Sequence, residues 1–484
     1  MKKLILILVL LKFTISAQIS NPSFEKNRDT LKTLPENWRA NLKPQFKWQL
    51  DTTVFHSGKQ SLSMNNDLNT DSMVFSPFSQ TCTITIDKAK KIELTAFIKT
   101  KNVSKNVGLW CQLLDKDNKQ IGFSSLETQG IFIKGNSEWT KYIVTLQVNP
   151  DVKKLLLGGF LKGTGQVWYD DFNIEIVTKQ TSKTAKKFLN QVLKISENRS
   201  IVSDSINWIN IKEDMYSLSA GAQTTKDCYN AINYLISVLR KKGDNHSGFY
   251  PPEFERKHET ENMNGEQPIG KYLGESIGYI EVPGFESVNT KICESFATDI
   301  QNLIKKIDTT HQINYWIVDL RNNTGGNMYP MIAGLGPILE NETLGYFTSP
   351  KLKIEYTWEY KNGASMASGH KLCAVKNPYT LKNKPKKIIV LVGPNTASSG
   401  EMTTISFIGK ENTTLIGLPT AGYSTGNAGH KLSDGSVLNL CESFCKDRNK
   451  HPIFGPIKPN EIINPTINSE EDNTLEYAKK QFLK

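Results

Sequence analysis

Three runs in the C-terminal half constrain this chain more than any other feature: Ile277-Gly278-Tyr279-Ile280-Glu281-Val282, Tyr315-Trp316-Ile317-Val318-Asp319-Leu320 and Lys387-Ile388-Ile389-Val390-Leu391-Val392. Each reads as a strand, and apolar side chains fall on both parities. Successive side chains of a strand point to opposite faces, so both faces must be covered. Between the first two runs, Ile292, Phe296, Ile300, Leu303, Ile304 and Ile307 recur at helical spacing and form one apolar face. Strand alternating with helix predicts an α/β layered core over residues 271–484.

Residues 18–177 obey a different period. Lys91-Ile92-Glu93-Leu94-Thr95-Ala96-Phe97-Ile98 and Trp139-Thr140-Lys141-Tyr142-Ile143-Val144-Thr145-Leu146 are rich in β-branched and aromatic residues, with polar turns at short intervals. Many short strands with such turns predict an all-β sandwich. Residues 178–187 carry no apolar periodicity beyond Ala185 and read as a linker. A helical subdomain follows over 188–270, where Ile232, Leu235, Ile236 and Leu239 share a helix face that Lys241-Lys242-Gly243 ends.

The N-terminus adds a compartment. Met1-Lys2-Lys3, the apolar run from Leu4 to Leu11, and the small pair Ser16-Ala17 match a secretory signal peptide over residues 1–17. The run is too short for a permanent span, so no membrane span is expected after cleavage, and a secreted or periplasmic location follows. The formal charge of +11 is spread over scattered lysines not interleaved with aromatic residues, which disfavours a nucleic-acid partner. Seven cysteines, Cys82, Cys111, Cys228, Cys293, Cys373, Cys441 and Cys445, contain no CxxC pair and no histidine at metal-site spacing. No metal and no organic cofactor is expected. Cys441 and Cys445 could pair or simply pack.

Four segments carry chemistry. Asp319-Leu320-Arg321-Asn322-Asn323-Thr324-Gly325-Gly326-Asn327 runs from a buried strand into two glycines, whose amides can turn toward a ligand oxygen as an oxyanion hole requires. Gly393-Pro394-Asn395-Thr396-Ala397-Ser398-Ser399-Gly400-Glu401 follows another buried strand and precedes a predicted helix. A serine at a helix N-terminus sits where negative charge is favoured, although Ser398-x-x-Glu401 is equally a capping box. His246 lies in the loop after the helix that ends near Leu239, and histidine is the usual base for a serine nucleophile. The fourth segment is Thr420-Ala421-Gly422-Tyr423-Ser424-Thr425-Gly426-Asn427 with Leu432-Ser433-Asp434-Gly435. Its Gly-x-Ser-x-Gly matches a lipase elbow, but Asn427-Ala428-Gly429-His430 is poor helix sequence and an elbow needs a helix there.

Taken in order, Asp244-x-His246-Ser247, Gly278-Tyr279-Ile280, Asp-Leu-Arg-Asn-Asn-x-Gly-Gly, Thr-Ala-Ser-Ser-Gly-Glu, Thr-Ala-Gly, Ser-Asp-Gly and Ile457-x-Pro459-Asn460 resemble the tail-specific (C-terminal processing) peptidase family over residues 190–470. The resemblance implies a ClpP/crotonase-like α/β core, a polypeptide substrate and acyl transfer. It implies Ser398 as nucleophile, and an oxyanion hole from Ser399 with Gly325 or Gly326. In the best-known branch a lysine is the base; alignment puts Tyr423 at that lysine and Asn427 at its glutamine partner. The chain therefore resembles the tricorn and retinoid-binding-protein branch, where the Asp-x-His histidine, here His246, serves as base. That branch implies a further acid near the C-terminal end, for which Asp447 and Glu442 are candidates while Ile453 occupies the expected slot. The N-terminal domain resembles the carbohydrate-binding-module jelly roll through Asn21-Pro22-Ser23-Phe24-Glu25, Pro35-Glu36-Asn37-Trp38, His56-Ser57-Gly58-Lys59-Gln60-Ser61-Leu62 and Trp168-Tyr169-Asp170-Asp171-Phe172. It implies a glycan as a second ligand, with Trp110, Trp139 and Trp168 either stacking on sugars or filling the core.

Overall fold

The computed structural model describes residues 18–28, 33–41, 43–67, 74–253, 266–464 and 472–482; the expected signal peptide lies outside them. The described chain divides into two compact units, one running to Leu189 with Ile209–Ile232, the other comprising Asn190–Trp208 with the residues from Asn233 on.

The first unit is a nine-stranded antiparallel sheet curled on itself in jelly-roll fashion. Its spine is the strand Lys90–Leu114, which pairs with Gln120–Ser125, Ile133–Val148, Lys154–Lys162 and Gly165–Ile176. A strand of 25 residues can serve both halves of a sandwich because its apolar side chains face one interior along most of its length. The quoted jelly-roll residues build that interior. Phe24, Trp38, Phe78, Tyr169 and Phe172 are buried, with ring centroids 4.8–6.2 Å apart, mostly edge-on or tilted. The Trp38 indole donates to the Asn21 carbonyl at 3.0 Å. Trp168 is buried as well and donates to Asp51 at 2.9 Å, so it holds the sheet together and offers no face to a sugar. Trp110 and Trp139 are half-exposed. Burial pushes the Asp170 carboxyl up to about 6, against the amides of His56 and Ser57 that it accepts at 2.9 and 3.1 Å.

A helix spans Lys183–Arg199 and so takes in the second half of the expected linker. Its start is set by Ser182, whose hydroxyl accepts from the Ala185 amide at 3.2 Å, a capping contact that composition alone does not reveal. The expected helix near the histidine spans Tyr229–Lys241 and ends before Gly243, whose φ is +99°.

The second unit holds the α/β core. Six strands line up as Ile269–Tyr272, Ile277–Glu281, Tyr315–Asp319, Lys387–Val392, Thr413–Gly417 and Glu461–Ile462, all parallel except the first. Alternation along the strands explains their composition. Trp316 and Val318 pack with Phe296, Ile300, Met331 and Leu335 of the helices Thr290–Thr310 and Met328–Leu339 on one face. Ile317, Ile389, Leu391 and Ile416 pack with Ala478 and Phe482 around the helix Asn473–Lys480 on the other. A second, eight-stranded antiparallel sheet is organised about Val437–Asp447. This is the mixed α/β architecture expected of a tail-specific-protease core. Cys441 and Cys445 lie four residues apart on that one strand, roughly 13 Å by strand rise, and none of the seven cysteines, all buried, forms a disulfide.

Candidate active site

The parallel strand Lys387–Val392 feeds a loop whose shape Thr396 sets. Its hydroxyl accepts from the Gly393 amide at 3.0 Å and donates to the Leu320 carbonyl at 2.8 Å, binding this loop to the one after the neighbouring strand. Ser398 closes the loop with φ 51° and ψ −116°, immediately before the helix Ser399–Ile405. An L-residue holds such a backbone only when its surroundings impose it, at about 1–3 kcal/mol. Glu401 supplies the constraint. Its buried carboxylate accepts from the Ser398 amide (3.0 Å), the Thr420 hydroxyl (2.5 Å) and the Gly422 amide (2.9 Å). Burial raises the Glu401 pKa, and those donors oppose the rise. The glutamate half of the expected capping box is thus present, and it ties the serine loop to the loop that carries Thr420 and Gly422.

The Ser398 hydroxyl faces His246, with Nε2 at 3.1 Å from Oγ. Two features deliver the histidine: Gly243 ends the preceding helix, and the Asp244 carboxylate accepts from the amides of His246 (3.2 Å) and Ser247 (2.9 Å) and from the Ser247 hydroxyl (2.6 Å). Asn427 donates to the His246 carbonyl at 3.0 Å, and the Tyr423 ring lies 5.2 Å away, tilted by 36°. The two positions that the lysine branch would use for its base thus cradle a histidine. Burial pushes the imidazole down to about 4, against the opposing charge of Asp244 and a hydrogen bond that the ring donates to the Thr425 backbone. The ring is neutral near pH 7 and free to accept a proton.

Gly325 and Gly326 sit beside the serine in conformations that L-residues avoid, at φ +109° and +104°. A Cβ on Gly325 would stand 2.9 Å from both the Ala397 carbonyl oxygen and Ser398 Cβ, and one on Gly326 would stand 2.2 Å from the Phe285 carbonyl oxygen. The Gly325 amide is committed to the Asn323 side chain at 3.1 Å. Of the two glycines, Gly326 is the one that lines the cleft with Ser398 and Ser399. The cleft holds about 740 Å³, and Met328, Phe347, Tyr356 and Met402 give it an apolar wall.

Asp447 is not brought to His246. Its buried carboxylate accepts from the amides of Asn449 and His451, both at 2.9 Å, and faces His451 Nδ1 at 3.1 Å, closing the turn after its strand. Glu442 is engaged by Arg199 at 2.7 Å and His430 at 2.6 Å. The partner of His246 Nδ1 is instead Thr425 Oγ1 at 2.9 Å, within the elbow-like Gly-x-Ser-x-Gly. That elbow is excluded by its context: Ser424 is buried and donates to the Gly455 carbonyl, and a strand, Thr425–Lys431, follows it. Among the described residues no group of three or more histidines, cysteines and acids is placed to hold a metal ion. Nor is any helix among them long and apolar enough to cross a membrane.

An α/β core with strand-end loops converging on a serine is the architecture of a serine-peptidase-like fold. Residues 276–463 match the model of peptidase family S41. The chain is 28% identical over 338 residues to the nisin-resistance protein of Lactococcus lactis subsp. lactis, covering 68% of this chain and 98% of the relative. A solved lipoprotein structure from Streptococcus agalactiae superposes with a TM-score of 0.52 at 26% identity, over 62% of this chain and 96% of the other.

Proposed function

We propose that the chain is a secreted serine peptidase that hydrolyses polypeptides through Ser398 and His246, in the manner of the tricorn-like, histidine-dependent branch. The observation that carries this reading is the 3.1 Å approach of His246 Nε2 to Ser398 Oγ inside an open cleft. His246 takes the serine proton as Oγ attacks the peptide carbonyl. The developing oxyanion is received by the amides of Gly326 and Ser399, at the start of a helix. The imidazolium then protonates the leaving amine, and water hydrolyses the acyl-enzyme by the same path in reverse. The signal-like segment 1–17 supports export.

The test is hydrolysis of casein by the chain from residue 18, beside Ser398→Ala and His246→Ala, with fluorophosphonate labelling as a substrate-independent readout. Wild type cuts and labels while both variants lose the activity with their folds intact. If wild type neither cuts casein nor labels, the fold serves binding in place of catalysis and the proposal fails.

A further inference from the structure

The peptides on either side of Gly326 are both anchored to Phe285. The Gly325 carbonyl accepts from the Phe285 amide at 2.9 Å, and the Asn327 amide donates to the Phe285 carbonyl at 2.5 Å, forming a parallel bridge with Gly326 opposite Phe285. The N–H and C=O of a trans peptide point in opposite directions. The Gly326 amide shares a peptide with the Gly325 carbonyl, so it points away from Phe285. The Gly326 carbonyl shares the next peptide with the Asn327 amide, so it points away as well. On that far side stands Ser399, whose hydroxyl donates to the Gly326 carbonyl at 2.5 Å. The same bond therefore places the Gly326 amide on the side of the nucleophile, in the wall of the cleft.

Ser399 is buried and begins the helix Ser399–Ile405. A serine hydroxyl at a helix start ordinarily caps its own helix. This one reaches a carbonyl 73 positions away in sequence. Nor is it a second nucleophile, since His246 Nε2 faces Ser398 while the Ser399 proton is directed at Gly326. The loop it reaches has a need for such a tie. Two adjacent glycines at φ +109° and +104° have no side chains to pack, and glycine loses more conformational freedom on folding than any other residue. An oxyanion donor acts by standing in place before the reaction begins, and small displacements cost rate steeply.

We propose that the Ser399 side chain is a positioning group for the oxyanion hole. By holding the Gly326 carbonyl it sets the Gly326 amide beside the Ser399 amide, so that one residue supplies one donor and fixes the other. This deepens the peptidase reading and rests on it. Phe285 grips the glycine loop from behind, and Ser399 draws it to the helix that carries the nucleophile.

Ser399→Ala removes the hydroxyl and keeps the amide; Ser399→Thr keeps both. Three quantities separate positioning from packing. The first is fluorophosphonate labelling of Ser398, resolved into a limiting rate and a half-saturating probe concentration. The second is the phosphorus NMR signal of the labelled protein, whose phosphoryl oxygen occupies the hole. The third is the backbone amide order parameter of Gly326 in the unlabelled protein. In Ser399→Ala the limiting rate is expected to fall by about tenfold or more, with half-saturation within about threefold of wild type. The phosphorus signal should move and Gly326 should become more mobile, and Ser399→Thr should restore all three toward wild type. A wild-type limiting rate and phosphorus signal in Ser399→Ala overturn the proposal. So does a loss of rate that leaves the phosphorus signal and the Gly326 order parameter unchanged, which marks packing at the helix start. If wild type does not label at all, the peptidase reading fails; a Gly326 freed in Ser399→Ala and held in Ser399→Thr would still uphold the tie, and an unchanged Gly326 would overturn it too.

Discussion

The depressed pKa of His246 makes a prediction that is independent of substrate. An ordinary histidine is half protonated near pH 6.5, whereas burial carries this ring to about 4. The difference corresponds to roughly 3.4 kcal/mol against the charged ring. At pH 5.5 an unperturbed imidazole would be only about one-tenth neutral, but His246 would be almost wholly neutral. The rate of fluorophosphonate labelling, measured from pH 4 to 8, should therefore stay nearly flat down to about pH 5 and reach half its plateau near pH 4–4.5. The same shift has a stability consequence with a definite sign. The folded pKa lies below the unfolded one, so between pH 6.5 and about 4 the unfolded chain binds a proton that the folded chain does not. Stability attributable to this ring is full above pH 6.5 and falls as the pH drops toward 4, by a few kcal/mol at most. A labelling curve with its midpoint at 6.5–7 would refute the reasoning, since it would mean a ring that solvent reaches freely.

Three substitutions probe the frame of the site. Gly325→Ala places a Cβ 2.9 Å from Ser398 Cβ at a φ of +109°, so labelling should fall by about 100-fold or more and melting by ~2–8 °C; wild-type behaviour would mean the loop relaxes freely. Asp447→Ala removes the acceptor of the 447–451 turn, so it should lower the melting temperature while labelling of the folded protein stays within about threefold of wild type. A 100-fold loss there with melting unchanged would return Asp447 to the catalytic set. Glu401→Gln replaces one carboxylate oxygen with a donor where three donors converge, so both melting and labelling should drop, the latter by about tenfold or more; an unaffected rate would show that Ser398 keeps its backbone without this brace.

How much of this was legible in the sequence depends on the range of each signal. The strands Ile277–Glu281, Tyr315–Asp319 and Lys387–Val392 were legible because two-faced burial leaves a local mark, apolar residues on both parities. Ser398 was singled out only by the joint order of the short motifs, whereas the glycine pair was legible for a reason like that of the strands: backbone at positive φ beside another main chain tolerates few residues. The acid was not. Asp447 and His246 are separated by about two hundred positions, and a carboxylate carries no local sign of which donors it will meet. Asp447 met its own turn. Thr425 is an ordinary strand residue by composition, and its approach to the ring emerges only from the strand that carries it past the histidine loop. The helix start at Lys183 was hidden for want of apolar period, since one serine cap defined it.

The burial that keeps His246 neutral also works against it later in the reaction. A ring that resists protonation by roughly 3.4 kcal/mol resists it equally when Ser398 gives up its proton. A carboxylate bonded directly to Nδ1 would offset that resistance; a threonine hydroxyl offers a dipole in place of a charge. What remains is the charge of Asp244, which already raises the pKa of His246 from within the same loop and opposes part of the burial effect. The site therefore balances a base that is always available against an imidazolium that is poorly stabilised. Strain at Ser398 leans on the same balance. The backbone at φ 51° and ψ −116°, held by Glu401, aims Oγ at Nε2 before substrate arrives. Geometry paid for in folding then lowers the part of the barrier that electrostatics leaves standing. Under the peptidase reading proposed above, the site keeps its base available in acid at the expense of turnover, and the two properties rise or fall together with the burial of one ring.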